Sequence, residues 1–326
     1  MRQAIRALTV FLFIVFAMDH TASAQTSFEA VGSRALGMGG AFIAVADDPS
    51  AVFWNPAGLA GGQPAGATIE WVRFRFGNQD ATPSAGPWRQ SSKFVSLGTW
   101  PIGLSYANFS DARLVTAQDG SLQAQRFSTK HIGATVLQTL VPGVVVGATL
   151  KYVRGTVATG PALETTVGEA LDSAGDTDGR SSGTFDIDAG LMLDGRVFRL
   201  GWTMRNLRSP KFEGMAGTAM QLKRQSRVGL SILPGSGVIF AVDLDVDTAD
   251  LPSGRRRNLA AGAEFLVSPA FAVRGGARWN LKGTRTAVGS VGASLALKPG
   301  TWLDGHFTHG RSQGERGFGF ALRTGW

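Results

Sequence analysis

The sequence predicts an all-β protein, an antiparallel transmembrane β-barrel of about fourteen strands. Three observations carry this prediction: an export segment at the N-terminus, apolar residues at every second position from residue 66 onward, and connections that alternate between short and long. The second observation alone would also fit a soluble β-sandwich. All three together are typical of barrels in the outer membrane of Gram-negative bacteria.

The first 24 residues have the organisation of a signal peptide. Arg2 and Arg6 precede an apolar run over residues 7–18, and a small-x-small pattern ends at Ala24. The alternative, a membrane anchor, is disfavoured because this run is shorter than the roughly twenty residues of a spanning helix. With no cysteine in the chain, lipidation at the cleavage site is excluded. We therefore predict cleavage near Ala24, with the barrel itself as the anchor.

Composition disfavours several other classes of protein. The chain has 326 residues with 44 glycines, no cysteine and 17% charged residues, which fits neither a disordered chain nor a disulfide-stapled domain. The net charge of +8 is compatible with nucleic acid, but an exported protein meets lipid phosphates first. Nucleic acid is therefore not a predicted partner.

The connections predict how the strands are arranged. Short breaks rich in Pro and Gly alternate strictly with longer polar connections, as in barrels with tight periplasmic turns and long extracellular loops. The short breaks fall at 101, 141–143, 194–196, 234–237, 268–269 and 299–300, and the long ones at 77–90, 110–121, 158–182, 208–217, 248–256, 282–285 and 310–315.

The two ends of the chain are consistent with an even number of strands. The first predicted strand, about 66–76, starts on the periplasmic side and the last, about 316–326, returns there. The last strand alternates and finishes on Trp326, which resembles the C-terminal signal by which the barrel-insertion machinery recognises its clients. That machinery is a predicted partner.

Aspartates occupy the second face of the two most regular stretches, residues 185–194 and 238–247. Such a ladder is rare in a soluble core, where the carboxylates would lack partners, but in a wide barrel it faces water. We predict that these aspartates line the lumen opposite arginines in the inward register of other strands. The predicted lining residues are Asp186, Asp188, Asp243, Asp245, Arg199, Arg205, Arg274 and Arg278.

The segment before the barrel, residues 32–60, carries a distinctive motif. It resembles the N-terminal signature of the FadL-type outer-membrane transporters of hydrophobic compounds and of the related PorV/PorQ group. The resemblance to either group implies a fourteen-stranded barrel. The matching positions are Gly37, Gly39, Gly40, Ala41, Ala46, Asp47, Asp48, Asn55, Pro56 and Ala57.

This resemblance implies a division into a plug, residues 25–62, and a barrel, residues 63–326. In FadL-type proteins the N-terminal segment forms a hatch inside the lumen. The residues suit that role, since glycines allow tight turns and close approach to a wall, and the acidic pair 47–48 can cap a short helix over 50–53. The alternative is a turn-rich leader that seals the periplasmic end.

No pattern of catalytic residues is present. The chain lacks a Gly-x-Ser-x-Gly elbow and a thiol nucleophile. His306 and His309 are three residues apart, which on a strand places them on opposite faces, so we expect solvated histidines there and at His131. The Gly37-x-Gly39 pattern lacks the βαβ context of a dinucleotide site. We predict no enzyme, metal or cofactor, although an outer-membrane hydrolase stays an open alternative.

The leading functional prediction is transport of hydrophobic small molecules across the outer membrane. One alternative is a PorV/PorQ-like barrel that transports nothing and serves protein secretion as an interaction platform, and a third is a periplasmic β-sandwich. Outer-membrane lipids are further predicted partners. The run Arg255 to Arg257, in a predicted extracellular loop, suggests contact with lipopolysaccharide phosphates, with a merely solvated loop as the alternative.

Overall fold

The computed structural model describes residues 28–326 except 85, 118, 175–177, 215–218, 236, 252–253 and 311–313. Over this part of the chain, fourteen strands form one closed antiparallel barrel in which each strand pairs with its neighbours in sequence and the first pairs with the last. The predicted fold class and strand number are confirmed. The predicted signal peptide lies outside the described residues.

The barrel strands are numbered here in chain order. They are β1 Ala65–Phe76, β2 Trp88–Thr99, β3 Ile102–Thr116, β4 Leu122–Val141, β5 Val144–Pro161, β6 Gly179–Asp194, β7 Phe198–Arg205, β8 Gln225–Gly235, β9 Val238–Asp245, β10 Asn258–Ser268, β11 Phe271–Asn280, β12 Ala287–Lys298, β13 Thr301–Gly310 and β14 Glu315–Gly325.

Short turns collect at one end of the barrel and longer loops at the other, in the predicted order. The strands extend further than expected on the loop side, because the β3–β4 and β5–β6 ladders continue to Thr116 and Gly179. Two loops contain hairpins that the sequence did not indicate. They pair Lys211–Glu213 with Ala219–Gln221, and Ala249–Leu251 with Gly254–Arg256.

The two faces of each strand are chemically opposite. On β4, Ile132 and Val136 are 62% and 59% exposed, whereas Thr129, His131 and Thr135 between and beside them are buried. Exposed aliphatic and aromatic side chains continue around the outer surface on the other strands. Strands with an apolar outer face and a polar inner face are typical of a barrel in a lipid bilayer.

The β5–β6 loop carries a helix, α3, Val167–Ser173, where the sequence predicted only a soluble loop. Thr166 and Glu169 form a capping box at its start. Its apolar face packs against outward-facing side chains of β3 and β4, namely Ala112, Leu114 and Ala124. Within the described residues, no helix is long and apolar enough to cross a membrane.

The basic run Arg255 to Arg257 is not a free surface patch. Arg256 is buried, with Nη2 3.5 Å from Glu315 Oε2, and Arg257 Nε donates to the carbonyl oxygen of Asp245 at 2.9 Å. The hairpin folds two of the three guanidiniums back onto the barrel. The prediction that this run binds lipopolysaccharide is therefore not supported by its placement.

The arrangement of turns and loops predicts opposite exposure of two positions in intact cells. Leu163, 84% exposed, lies in a long loop, and Arg196 lies in a short turn. The sequence has no cysteine, so Leu163→Cys and Arg196→Cys each introduce a single thiol. A membrane-impermeant maleimide should label the former in intact cells and the latter only after permeabilisation. The opposite labelling pattern would show that the short turns, and not the long loops, face the outside of the cell.

Candidate functional site

Residues 28–62 are called the inner segment below. They lie within the barrel and, apart from the half-buried Asp47, are buried up to Gly58. The segment contains two short helices, α1 Ser33–Gly37 and α2 Ala51–Trp54, and a 3-10 helix, Pro56–Gly61. Its apolar side chains form one cluster with inward-facing residues of β2, β3, β9 and β10. The interior of the barrel is therefore occupied by the chain's own N-terminal part.

Strand glycines bring the wall into direct contact with the backbone of this segment. A Cβ atom at Gly147 would lie 2.6 Å from Ala57 N, and one at Gly201 would lie 2.6 Å from Ile43 O. Both distances are shorter than any real Cβ contact, so only glycine fits. Gly262 and Gly276 have the same kind of contact with the backbone of Met38, whereas Gly98, Gly103 and Gly190 lie against side chains of the segment.

The glycines of the motif sit where the inner segment turns along the wall. Gly39 and Gly40 have φ angles of +72° and +88°, and a Cβ atom on Gly39 would lie 2.6 Å from Ala277 N. Gly37 ends α1 against the side chain of Arg274. At Gly39 any other residue would meet both backbone strain and a steric clash.

Arg34 is the main charged link between the inner segment and the wall. Its Nε and Nη2 donate to both carboxylate oxygens of Glu264 at 2.9 and 2.8 Å, and its Nη1 lies 2.5 Å from Asp47 Oδ1 and 3.1 Å from Asp48 Oδ2. Burial opposes the charge, but Asp47 and Glu264 hold the pKa of Arg34 well above its ordinary value. The guanidinium is thus a permanent cation enclosed by three carboxylates.

The wall continues this network across four strands. Glu264 also accepts from Arg274 Nε at 2.8 Å, and Arg274 Nη1 lies 3.6 Å from Asp304. Asp304 in turn accepts from Arg323 Nε at 3.0 Å. Charges of opposite sign therefore alternate from β10 to β14, which offsets the cost of burying each one.

A second network holds the start of the segment to β8 and β9. Arg227 is 1% exposed, and its Nε and Nη2 each donate at 2.6 Å, to Asp245 Oδ1 and Glu29 Oε1. Asp243 Oδ2 accepts from the backbone N–H groups of Phe42 and Ile43 at 2.7 and 2.9 Å. Asp243 thus holds the inner segment directly, and Asp245 does so only through Arg227, which pairs with Glu29.

The predicted lining residues fall in the inward register of their strands, but most are buried beside partners and do not face a water-filled lumen. Asp186 and Asp188 are buried beside Lys151, whose Nζ lies 3.3 Å from Asp186 Oδ2 and 2.6 Å from Asp188 Oδ1. Arg199 pairs with Asp194 and Asp47, and Arg278 with Glu315. Alternation along a strand gives the face of a residue but not its neighbour across the interior.

Arg205 has a different environment from the other three predicted arginines. Its guanidinium carbon lies 3.6 Å from the centroid of the Phe53 ring and 5.1 Å from that of Phe28. These are cation–π distances. The residue joins the charged wall to an aromatic column.

That column runs from the inner segment to the wall. Phe53 of α2 packs against Phe28, Phe94 and Phe109 with centroid distances of 6.5, 6.1 and 5.7 Å, and Trp54 lies 5.5 Å from Phe28. Distances of this size are normal for interacting aromatic pairs. The column is the aromatic part of the apolar cluster in the interior.

Asn55 fixes the end of α2 to the wall. Its Nδ2 donates to Ile43 O at 3.0 Å and to Leu191 O of β6 at 3.1 Å, and its Oδ1 accepts from Ala57 N at 3.2 Å. Asn55 is fully buried and caps the 3-10 helix that begins at Pro56. One side chain thus holds two parts of the inner segment and a strand together.

The acidic pair does not cap a helix over 50–53 in the expected way. Helix α2 begins at Ala51 with Ser50 at its N-cap, and Asp48 Oδ1 accepts from the N–H of Ser50 at 2.9 Å. Asp48 therefore stabilises the turn before the helix, and its other oxygen faces Arg34.

A cavity of about 290 Å³ lies beside the 3-10 helix at the short-turn end. Its lining combines small residues of the inner segment, such as Ala57 and Gly58, with Val145 and Met192 of the wall and Arg199 at its edge. A cavity of this size is at the lower end of the range for small-ligand sites.

Of the three histidines that follow the predicted signal peptide, two are not solvated as expected. His131 and His306 are 8% and 6% exposed and face inward, whereas His309 is exposed on the outer face. His131 packs edge-on against Phe109 at 5.1 Å. His131 and His306 pack in the interior because their positions fall in the inward register of their strands.

Sequence reasoning missed the residues that pair across the interior. Lys151, Arg227 and Glu264 lie in the same inward register that marked the predicted lining residues, so strand alternation could have identified them. Glu29 and Arg34 lie in the non-periodic inner segment and carried no such signal.

The fold is that of the FadL-type outer-membrane barrels. CymD, a monoaromatic hydrocarbon channel, superposes with a TM-score of 0.67 at 16% identity, covering 92% of this chain and 98% of that chain. The toluene transporter TbuX of Ralstonia pickettii has a TM-score of 0.64 at 14% identity, covering 92% and 99%. A FadL homologue of Pseudomonas aeruginosa has a TM-score of 0.62 at 10% identity, covering 93% and 99%. These likenesses confirm the predicted resemblance at the level of the fold.

At the level of sequence, a family model described as F plasmid transfer operon, TraF, protein matches residues 95–247. The match extends from β2 to the loop after β9 and does not include the inner segment. No curated protein sequence matches the chain. The resemblance to the PorV/PorQ group stays a prediction.

The charge network predicts a large difference between two glutamate substitutions. Glu264→Ala leaves Arg34 and Arg274 buried without their shared carboxylate, which costs about 3–5 kcal/mol. Glu213→Ala removes an exposed pair with Arg180 at 3.8 Å, worth about 0–1 kcal/mol. Urea unfolding in detergent micelles should show the first loss and not the second.

Hydrogen–deuterium exchange locates the effect. In Glu264→Ala, exchange should rise over residues 28–62 more than over the strands of the barrel. Equal losses in the two variants, or a rise spread evenly over all strands, would contradict the role assigned to Arg34.

Proposed function

We propose that this protein is an outer-membrane channel for hydrophobic small molecules and that the inner segment is its plug. The observation that carries the proposal is an interior filled by the chain's own N-terminal residues, with an aromatic column at its centre. A porin for polar solutes keeps a water-filled lumen. A filled interior with an aromatic surface favours apolar solutes and requires a movable barrier.

The names of proteins with this fold support the class of substrate. CymD is described as a monoaromatic hydrocarbon channel and TbuX as a toluene transporter. By analogy of fold, we extend hydrophobic small molecules as the substrate class to this chain. No catalytic step or cofactor is part of the proposal.

The plug would move at its C-terminal part. The 3-10 helix borders the 290 Å³ cavity, and among the described residues its first turn is tied to the wall by the hydrogen bonds of Asn55. The charged networks of Arg34 and Arg227 hold the earlier part of the segment. A local displacement of residues 55–61 would therefore enlarge the cavity while the rest of the segment stays in place.

The proposal includes the division and location predicted from the sequence. Residues 1–24 act as a cleaved signal peptide, 25–62 as the plug and 63–326 as a barrel in the outer membrane. The exposed apolar surface of the strands supports this location. Trp326, whose N–H donates to Ala65 O at 3.0 Å at the closure seam, would be read by the insertion machinery.

A second candidate is an interaction platform for exported proteins. The observation that favours it is the family model of a plasmid transfer operon protein that matches residues 95–247. The two candidates differ in one property, since a platform has no need of passage through the barrel.

Substitutions in the Asn55 block test passage directly. Asn55→Ala removes three buried hydrogen bonds and Pro56→Ala loosens the following turn, and a change of about 1 kcal/mol alters the population of an open plug several-fold. Uptake of a hydrophobic fluorescent probe by cells should change several-fold while the barrel remains heat-modifiable on gels. Asn78→Ala is the matched control, because Asn78 accepts from Asp80 N at 3.1 Å in an exposed loop.

Unchanged uptake and antibiotic sensitivity in the Asn55 and Pro56 variants, together with failed export of partner proteins, would refute the channel and favour the platform. A soluble periplasmic protein in cell fractionation would refute both.

A further inference from the structure

We propose that the outer wall of β1–β5, at its extracellular edge, binds the phosphate groups of lipopolysaccharide. This rests on the outer-membrane location in the proposed function and is independent of any passage of solute. The argument begins with the strand register, which places outward-facing residues of adjacent strands in level rows.

The lower row is apolar. Ile69, Val95, Tyr106, Ile132 and Tyr152 are cross-strand partners in successive pairs, and all are between 38% and 62% exposed. Exposed aliphatic and aromatic side chains at one level mark the surface that meets acyl chains, with tyrosines towards the interface.

The next outward row, about 6.6 Å nearer the loop end, is basic. It consists of Trp71, Lys93, Asn108, Lys130 and Arg154, again paired strand to strand. Both lysines and Arg154 are exposed. Cations therefore begin one outward position above the apolar row, at the level of lipid headgroups.

A row of hydroxyl groups follows, and above it further arginines. Ser91, Ser110, Ser128 and Thr156 are cross-strand partners in line with Arg73 of β1. One outward position further on, Arg75, Arg89, Ala112 and Arg126 share a level. Cations and hydroxyl donors at this density are the groups that hold phosphate and sugar oxygens.

Helix α3 turns part of this surface into a cavity of about 260 Å³. The cavity lies between the helix and the wall, bounded by Trp71, Arg73, Arg89, Arg126 and Asp172. Asp172 is the acidic group of the lining: it contacts Arg89 and lies 3.6 Å from Arg73. Three guanidiniums against one carboxylate leave a net positive cavity.

Two donors in this cavity have no acceptor. The Nε atoms of Arg73 and Arg89 are buried, and within the described part of the chain neither has a hydrogen-bond partner. The side chain of Arg89 is 9% exposed. Buried donors without partners are costly, so a small movement of these guanidiniums towards an anion in the cavity would be favourable.

The basic surface is local and does not form a ring around the barrel. At the level of Arg73 the next strands carry Phe318, Phe307 and Val291, which are consecutive cross-strand partners. A general interfacial girdle would continue around the barrel. At the level of Arg75 the basic surface reaches one strand further, to the exposed Arg316 of β14. The cations therefore lie on one side of the barrel, which indicates one binding site there.

The order of the rows identifies the occupant. Acyl-facing side chains, then cations, then hydroxyls and guanidiniums match a molecule with lipid chains below a phosphorylated sugar. Lipopolysaccharide has this build, and its phosphates supply the charge that the cavity lacks. A soluble phosphate would use the cations but not the apolar row beneath them.

Binding of lipid A to the purified full-length protein in detergent, measured by native mass spectrometry, tests the proposal. Lys93→Ala/Lys130→Ala/Arg154→Ala removes three exposed cations of the row, and Lys211→Ala/Lys282→Ala/Arg285→Ala removes three exposed cations from other loops. We expect the lipid A concentration at half-saturation to be at least about tenfold higher for the first variant than for the wild type. The second should bind like the wild type.

Three results would overturn the proposal. They are wild-type affinity in the first variant, equal loss in both variants, and equal affinity of the wild type for lipid A and its dephosphorylated form. Because this assay uses no uptake or export, its failure is distinguishable from failure of the channel, and fractionation tests the location separately.

Asp172→Asn provides a test in the opposite direction. Removal of the carboxylate leaves Arg73 and Arg89 free to bind phosphate, so the affinity for lipid A should rise several-fold. Unchanged or weaker binding would show that the cavity beneath α3 is not part of the site.

Discussion

The buried charge of Arg34 is the constraint on which the interior depends. A guanidinium enclosed by a barrel is tolerable only if carboxylates surround it, and Asp47, Asp48 and Glu264 do so from two directions. Because Asp47 and Asp48 belong to the same segment and Glu264 to the wall, one cation fixes both the fold of the inner segment and its position. The wall network from Arg274 to Arg323 then follows, since Glu264 is itself shared.

Close packing and charge act on the same segment in different ways. Wall glycines such as Gly147 and Gly201 bring backbone against backbone, which fixes distance but supplies little energy by itself. The ion pairs of Arg34 and Arg227 and the hydrogen bonds of Asn55 fix the orientation of the segment. The aromatic column around Phe53 is less directional, but Arg205 lies over the Phe53 ring, so the column also covers a buried charge.

The barrel could be predicted from the sequence because its signals are local. Period-two alternation and the order of short and long connections determine strands and their number. The interior could not, because the partner of Asp188 is Lys151 on the neighbouring strand and that of Arg227 is Glu29, some 198 positions away. Such pairs depend on register and on the path of a segment without periodicity. The hairpins in the loops were missed because each of their strands has only three residues, too few to show a periodic pattern.

The period of two also lets one strand serve two surfaces. On β2, Ser92 donates to Ala30 O of the inner segment and Phe94 packs on Phe53, while Lys93 between them faces outward beside Trp71. On β4, His131 packs inside against Phe109 and Lys130 points away from the barrel. Changes on one face therefore leave the other face's contacts intact. The inner segment and the basic rows can therefore vary independently where they share strands β2 and β3.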